Sequence, residues 1–509
     1  MSRAVLAPFE TYQKARVTFV QTVAELATRH QNIEALQSEG VMALLRPLLL
    51  DNVPSIQQSA ALALGRLANY SDELADAVVS NEILPQLVYS LSEQNRFYKK
   101  AAAFVLRSVA KHSAQLAQAV VNSGALDALV NCLEEFDPSV KEGAAWALSC
   151  IAKHNAQLAQ SVVENGAVGL LVLCVKEPEL SLKRISATAL GEICKHSAEL
   201  AQSIVDAGAV PYLTALVSHP DAQLKRQVCS CLANIAKHNV DLAEIVAEAD
   251  LFPKILNCLK DSDVQVRKNG ATCIREIAKQ TTELAKMIVH YGGHGAIVDY
   301  LLESQGSAAL PGIMTLGFIA AFDESLAMNV ITAKAIKPLK DALINEPEDH
   351  IKAAAAWSLG QLGRHSPEHS KHLAENDVPS RLLAVYMSPD SSEDLKNKSK
   401  RALKSIIQIC THLPALEPLL QLAPQNILKY VVAQFAKMLP QSLDARKSFL
   451  QSGGFQKVQE IKAPAGSKLK GYIDEINSQY PTDIVQYYSP EYSSTLLKKL
   501  EEFHGESQS

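Results

Sequence analysis

Apolar residues along this chain recur at steps of three and four rather than alternating. In SATALGEICKHSAELAQSIVDAGAV (186–210) the pattern twice breaks and restarts at a short polar stretch or a glycine. Such spacing predicts short amphipathic helices joined by tight turns, with no strand signal. The same text recurs. AAWALSCIAKHNAQLAQSVVENGAV (144–168) aligns with it residue for residue, and Lys-His dipeptides stand at Lys111-His112, Lys153-His154, Lys195-His196 and Lys237-His238, each step 42 residues (153 − 111 = 42). A fixed period of this length means a stack of like units, each unable to bury its own apolar face alone.

Punctuation divides the unit into three helices. Ser71, Ser113, Asn155, Ser197, Asn239, Thr281 and Asp323 are in register, and each can accept a hydrogen bond from a first-turn amide of a first helix. Gly40, Gly124, Gly166 and Gly208 close that helix, where a left-handed backbone is needed. A second helix often carries proline in its first turn, at Pro85, Pro211 and Pro253. A third and longer helix runs from about Glu179 to Lys195 in one copy, apolar on more than one face and so buried between neighbours, with Leu148 and Leu190 in the inter-repeat core. Three helices in 42 residues match the armadillo repeat. The expected fold is all-α, a right-handed armadillo superhelix with a long concave surface.

The boundaries follow. Residues 1–27 are expected to form an N-terminal capping helix, and residues 28–377 about eight repeats, with the register slipping by one after Ile331 through a small insertion in a turn. In residues 378–462, Pro414, Pro418, Pro424 and Pro440 interrupt divergent helical repeats that cap the stack. Residues 463–509 read as a linker (APAGSK) and a Tyr/Pro-rich tail, whose tyrosines, Tyr472–Tyr492, should fold back on the last helices or dock a neighbour.

Composition fits this picture. The chain is 48% apolar, 20% charged and only 6% aromatic, and its many small residues allow close helix packing. A net charge of −5 gives no general drive toward nucleic acid or anionic membrane. No secretory signal pattern opens the chain, and no apolar run reaches the roughly 18 residues of a membrane span. The nine cysteines lie singly in helical patterns, Cys132, Cys174 and Cys258 in the same repeat position, and read as buried free thiols of a reducing compartment. No zinc spacing, phosphate loop or nucleophile motif is present, so the expectation is a protein that is not an enzyme and takes no cofactor, metal or small-molecule substrate.

The four histidines of the Lys-His pairs read as packing residues at the turn after each third helix, since Gln280 and Phe322 fill the same place. Two basic rows are the candidate protein-binding residues: Lys99, Lys141, Lys183, Lys225 and Arg267 at the start of the third helices, and Lys111, Lys153, Lys195, Lys237 and Lys279 at their ends. The first row opposes the helix dipole, so helix stability does not explain it. The second lies three residues beyond the places that face the groove in peptide-binding armadillo proteins, and is expected to line one edge and bind an extended acidic segment.

Nuclear import receptors of the importin-alpha type pair Trp with Asn four residues on. Here the corresponding positions read Leu62/Arg66, Phe104/Ser108, Trp146/Cys150, Thr188/Glu192, Ser230/Asn234, Thr272/Glu276, Met314/Phe318 and Trp357/Gln361, and no pair is complete. Instead, ALGRLANYSDELADAVV (63–79), EQNRFYKKAAAFVLRSVAKHS (93–113), EPEDHIKAAAAWSLGQLGRHSPEH (346–369), LPALEPLL (413–420) and VQYYSPEYS (485–493) make the chain resemble, end to end, the sperm-associated antigen six family of armadillo central-pair proteins in motile cilia. The resemblance implies a structural scaffold of the axonemal central apparatus, in the cytoskeleton of cilium and flagellum, needed for sperm motility. The implied partners are other central-apparatus proteins and tubulin, with self-association into an array. The alternative is a soluble armadillo adaptor for signalling or cargo.

Overall fold

In the computed structural model, residues 2–92, 95–492, 494, 496 and 497 are described, and side chains from residue 6 onward. Every regular element among them is helical. The chain divides into two compact units, Met1–Ile277 and Ala278–Ser509.

In the first unit, the repeat from Asn155 shows how the sequence sets the geometry. Asn155 accepts from the Leu158 amide at 2.8 Å and opens the first helix, Ala156–Glu164. Gly166, at φ 82°, turns the chain into the second, Ala167–Lys176, bent 81° from the first. Pro178 and Glu179 lead into the third, Leu180–Cys194. Leu158, Val162, Leu171, Leu190 and Ile193 are all buried in the corner so formed. The third helices Pro54–Tyr70, Arg96–Ala110, Pro138–Ala152, Leu180–Cys194 and Ala222–Ala236 pack side by side as one layer. Leu148 and Leu190 are fully buried between them, as their spacing predicts. The N-terminal helix, Ser2–Leu26, joins the same layer: Arg66 donates to the Ala24 carbonyl 42 residues back, and Arg16 pairs with Asp51.

The second unit continues the pattern with third helices Leu310–Phe322, Asp349–Gly363 and Glu393–Ile407. The extra residue lies in the turn after the second helix Ile336–Asn345. Gly166 to Glu179 spans 13 residues, whereas the matching step from Lys334 to Glu348 spans 14. The boundary expected at residue 377 falls inside a repeat, because Val378–Met387 and Glu393–Ile407 are its second and third helices. The charged text of that third helix, EDLKNKSKRALKSII, had hidden the period. Nor are residues 463–509 a linker and free tail. Helix Lys468–Asn477 buries Leu469, Ile473 and Ile476, packing on Gln425–Met438. Tyr480 donates to the Arg446 carbonyl at 3.0 Å and stacks 4.4 Å from Phe455, with Tyr488 at 5.7 Å. The final polar segment, 501–509, lies outside the described residues.

The left-handed corner is more regular than the glycines that announced it. Glu82, Asp250, Lys334 and Asp377 adopt φ between 52° and 66° in the same register, so position in the stack overrides side-chain preference. Each of the nine cysteines is free and buried.

Two glycines should fail for different reasons. Around Gly124, at φ 78°, nothing lies within 4 Å of an added Cβ, so Gly124→Ala should cost about 1 kcal/mol through backbone strain alone. At Gly360 an added Cβ would sit 2.8 Å from Ala402 Cβ and 2.9 Å from its Cα, so Gly360→Ala should force two third helices apart and cost about 1–3 kcal/mol. Urea unfolding of the two variants, compared with the parent chain, measures both.

Candidate functional site

The third-helix layer presents an open face to solvent, and both predicted basic rows lie at its margins. Lys99 and Lys141 pair with Glu135 and Glu177 of the following repeat at 2.5 and 2.7 Å, and Lys225 pairs with Asp261, each 36 residues on. The lysine side chains are only 11–15% exposed. These cations tolerate the helix dipole because an acid after the next second helix meets them. Lys183 departs from the pattern, with His219 in the corresponding place. Arg267 instead donates to the Asp261 carbonyl of its own loop at 2.7 Å.

The second row is also engaged. Lys111 Nζ donates to the Asn69 carbonyl and side-chain oxygen, both at 2.6 Å, and Lys153 Nζ to the Lys111 carbonyl at 2.7 Å. Lys195 pairs with Glu192, and Lys237 reaches Asn234 Oδ1 at 3.4 Å. Lys279, in the second unit, has a partner as well. Lys111 and Lys153 thus cap the carbonyl end of the preceding third helix, where a cation also complements the dipole.

The histidines do the same. The Nε2 atoms of His112, His154, His196 and His238 lie 2.7–2.8 Å from the carbonyls of Ala68, Ala110, Ala152 and Cys194, each 44 residues back. In the second unit His365 meets the Ala320 carbonyl at 2.6 Å across 45 residues, carrying the one-residue slip. A carbonyl only accepts, so each ring donates Nε2–H. Packing was the expected role, and a hydrogen bond is the actual one. Arginines reinforce the stack elsewhere: Arg184 and Arg226 reach Asp221 and Asp263, which also cap the next third helix. The Arg226 hydrogen bond leads in holding Asp263 down at about 2.

What remains on the open face is a cluster that the sequence reading considered only as a failed Trp–Asn ladder. A cavity of about 480 Å³ spans the third helices Pro54–Tyr70, Arg96–Ala110 and Pro138–Ala152. Phe97 and Trp146 are 53% and 38% exposed there, and Phe104 stands between them. The Arg107 guanidinium lies 3.5 Å from the Trp146 ring centre and 5.7 Å from that of Phe104. Arg66, Lys100 and Arg107 line the cavity against a single carboxylate, Glu142. Aromatic faces and guanidinium groups in a partly desolvated groove are typical anchors for a protein partner. The signal was present in the period: Phe104 and Trp146 stand 42 apart, where later repeats carry Thr188 and Ser230.

Among the described residues no His, Cys, Asp or Glu group is arranged to hold a metal ion, and no single helix is long and apolar enough to cross a membrane.

Comparison with known proteins agrees with this architecture. Residues 113–153 match the armadillo/beta-catenin-like repeat model, and residues 141–287 the model of GCN1-like C-terminal HEAT repeats. The chain is 72% identical over 501 residues to sperm-associated antigen 6 of mouse, covering 98% of this chain and 99% of that one. The human protein of that name is also 72% identical over 501 residues, with 98% of each chain covered. The chain belongs to the sperm-associated antigen 6 family. An engineered protein of known crystal structure is similar in fold alone, with a TM-score of 0.70 and 22% identity over 86% of this chain and 98% of its own. The family is thus built on an all-α armadillo solenoid.

Protonation should act on the carbonyl contacts. Desolvation, more than any other influence, lowers the pKa of His154, His196 and His365 below 6.5. The unfolded chain takes up these protons first, so their contribution is complete above about pH 6.5 and is lost as pH falls through the lower folded values. The urea midpoint should therefore drop between pH 7.5 and pH 5.5. At neutral pH His196→Leu should cost about 1–2 kcal/mol. His196→Gln, which keeps an N–H donor as Gln280 does at its own position, should cost less and weaken the pH dependence.

Proposed function

We propose that this protein is a non-catalytic scaffold of the axonemal central apparatus, bracing central-pair microtubules in cilia and sperm flagella for motility. The observation that carries this reading is the 72% identity to sperm-associated antigen 6 over 98% of the chain. The architecture supports it: repeats that contact only their neighbours form a long surface able to hold several partners in register. The partners we propose are other central-apparatus proteins and the acidic tails of tubulin, with copies of the chain joining into an array. The Phe104, Trp146 and Arg107 cluster is the anchoring point, and Lys111, Lys153, Lys195, Lys237 and Lys279, with the row from Lys99 to Arg267, supply surrounding positive charge.

Antibody staining of ciliated cells tests the location. Signal along the axoneme that survives detergent is the expected result, and diffuse extractable signal would favour a soluble adaptor instead. Arg107→Glu with Trp146→Ala should leave circular dichroism unchanged while weakening capture of axonemal extract by roughly thirtyfold, the loss expected of a central anchor. Equal capture by the double variant would remove the cluster from the interface.

A further inference from the structure

The second unit holds a cleft of different character. It lies between the helices Gln425–Met438 and Lys468–Asn477, beside the end of Glu393–Ile407, and encloses about 560 Å³. That is the size of a small-molecule site. Lys429, Lys437 and Lys468 line it together with Tyr430 and Tyr472, and no Asp or Glu does. The Lys404 and Lys429 ammonium groups approach the Tyr430 ring to 5.1 and 5.0 Å. None of these four lysines forms an ion pair among the described residues, in a chain with more carboxylates than cations. Elsewhere the lysines that shape the stack are matched with acids or carbonyls, so this unmatched group is not explained by the repeat.

Two further features point to a ligand. The first turn of helix Lys468–Asn477 contributes Ser467, Lys468 and Leu469 to the wall, placing the positive end of the helix at the cleft. Independently, Gln434 is only 5% exposed and lines the same space. Its Nε2 donates to the Cys410 carbonyl at 2.8 Å, which fixes the amide, and its Oε1 is buried with no hydrogen-bond partner. A buried acceptor left unmatched is unfavourable unless a donor meets it. Cations around the wall and an acceptor at its base call for a ligand that is anionic at several points and carries a hydroxyl or amino donor between them.

We propose that this cleft binds a small multiply phosphorylated molecule bearing such a donor. Lys429, Lys437 and Lys468 hold the phosphates as flexible point charges, the start of helix Lys468–Asn477 receives one phosphate on its free amides, and Gln434 Oε1 accepts the donor. The site is independent of the scaffold role, and its test needs no axonemal partner.

The experiment is calorimetric titration of the full chain at low salt with inositol 1,4,5-trisphosphate, ATP or inorganic sulfate. One equivalent of the trisphosphate or of ATP should bind, with sulfate far weaker. Preference for the first identifies a phosphorylated polyol, and preference for the second a nucleotide. Lys429→Gln with Lys437→Gln, both at exposed positions, should weaken binding about tenfold or more with helicity unchanged. No heat from either phosphate ester at millimolar concentration would overturn the proposal, as would undiminished binding to the double variant.

Discussion

Every third helix in this chain ends with carbonyl groups that its own backbone cannot satisfy, and the next repeat satisfies them. Histidine reaches back 44 residues in the first unit, from His112 to Ala68 and onward to His238 and Cys194. Lysine reaches back 42, from Lys111 to Asn69 and from Lys153 to Lys111. No repeat can supply this cap to itself. The contact therefore holds successive units at a fixed spacing, and it makes each dependent on its neighbour in the manner of a one-dimensional stack. The apolar core beneath would slide more readily without it, since dispersion and burial have no direction.

This constraint separates residues that serve the stack from residues available for something else. Side chains that keep the 42-residue period are mostly committed: Lys99, Lys141 and Lys225 to acids 36 residues on, the histidines to carbonyls, the buried cysteines to the core. Those that break the period are the ones left facing solvent or a cleft. Phe104, Trp146 and Arg107 occur together only in the early repeats, and the unmatched lysines around Gln434 only where the repeat itself has decayed. In a repeat protein, departure from the pattern is the better guide to function.

Much of this was legible in the sequence, and the limits have physical causes. Helix starts were readable because a capping oxygen and its amide are three residues apart: Ser71, Ser113, Asn155, Ser197, Asn239, Thr281 and Asp323 each bond the predicted turn. The corners at Glu82, Asp250, Lys334 and Asp377 were not, because the stack imposes a left-handed backbone on residues that do not advertise it. The basic rows were found but their partners were not, since an acid 36 residues away or a carbonyl 44 away leaves no local trace. The packing of Tyr480 and Tyr488 around Phe455 followed from the improbability of so many solvated aromatics, although the helix Lys468–Asn477 that carries the chain there was read as part of a tail.

The carbonyl contact is the claim on which the rest stands, and the imidazole nitrogens report it directly. Nitrogen-15 spectra of the full chain with labelled histidine, assigned by single substitutions, give tautomer and titration midpoint for each ring. The account predicts that His154, His196 and His365 at neutral pH are uncharged with the proton on Nε2, and that they titrate below the ordinary 6.5. Rings that exchange freely between tautomers, or that titrate at or above that value, would contradict it.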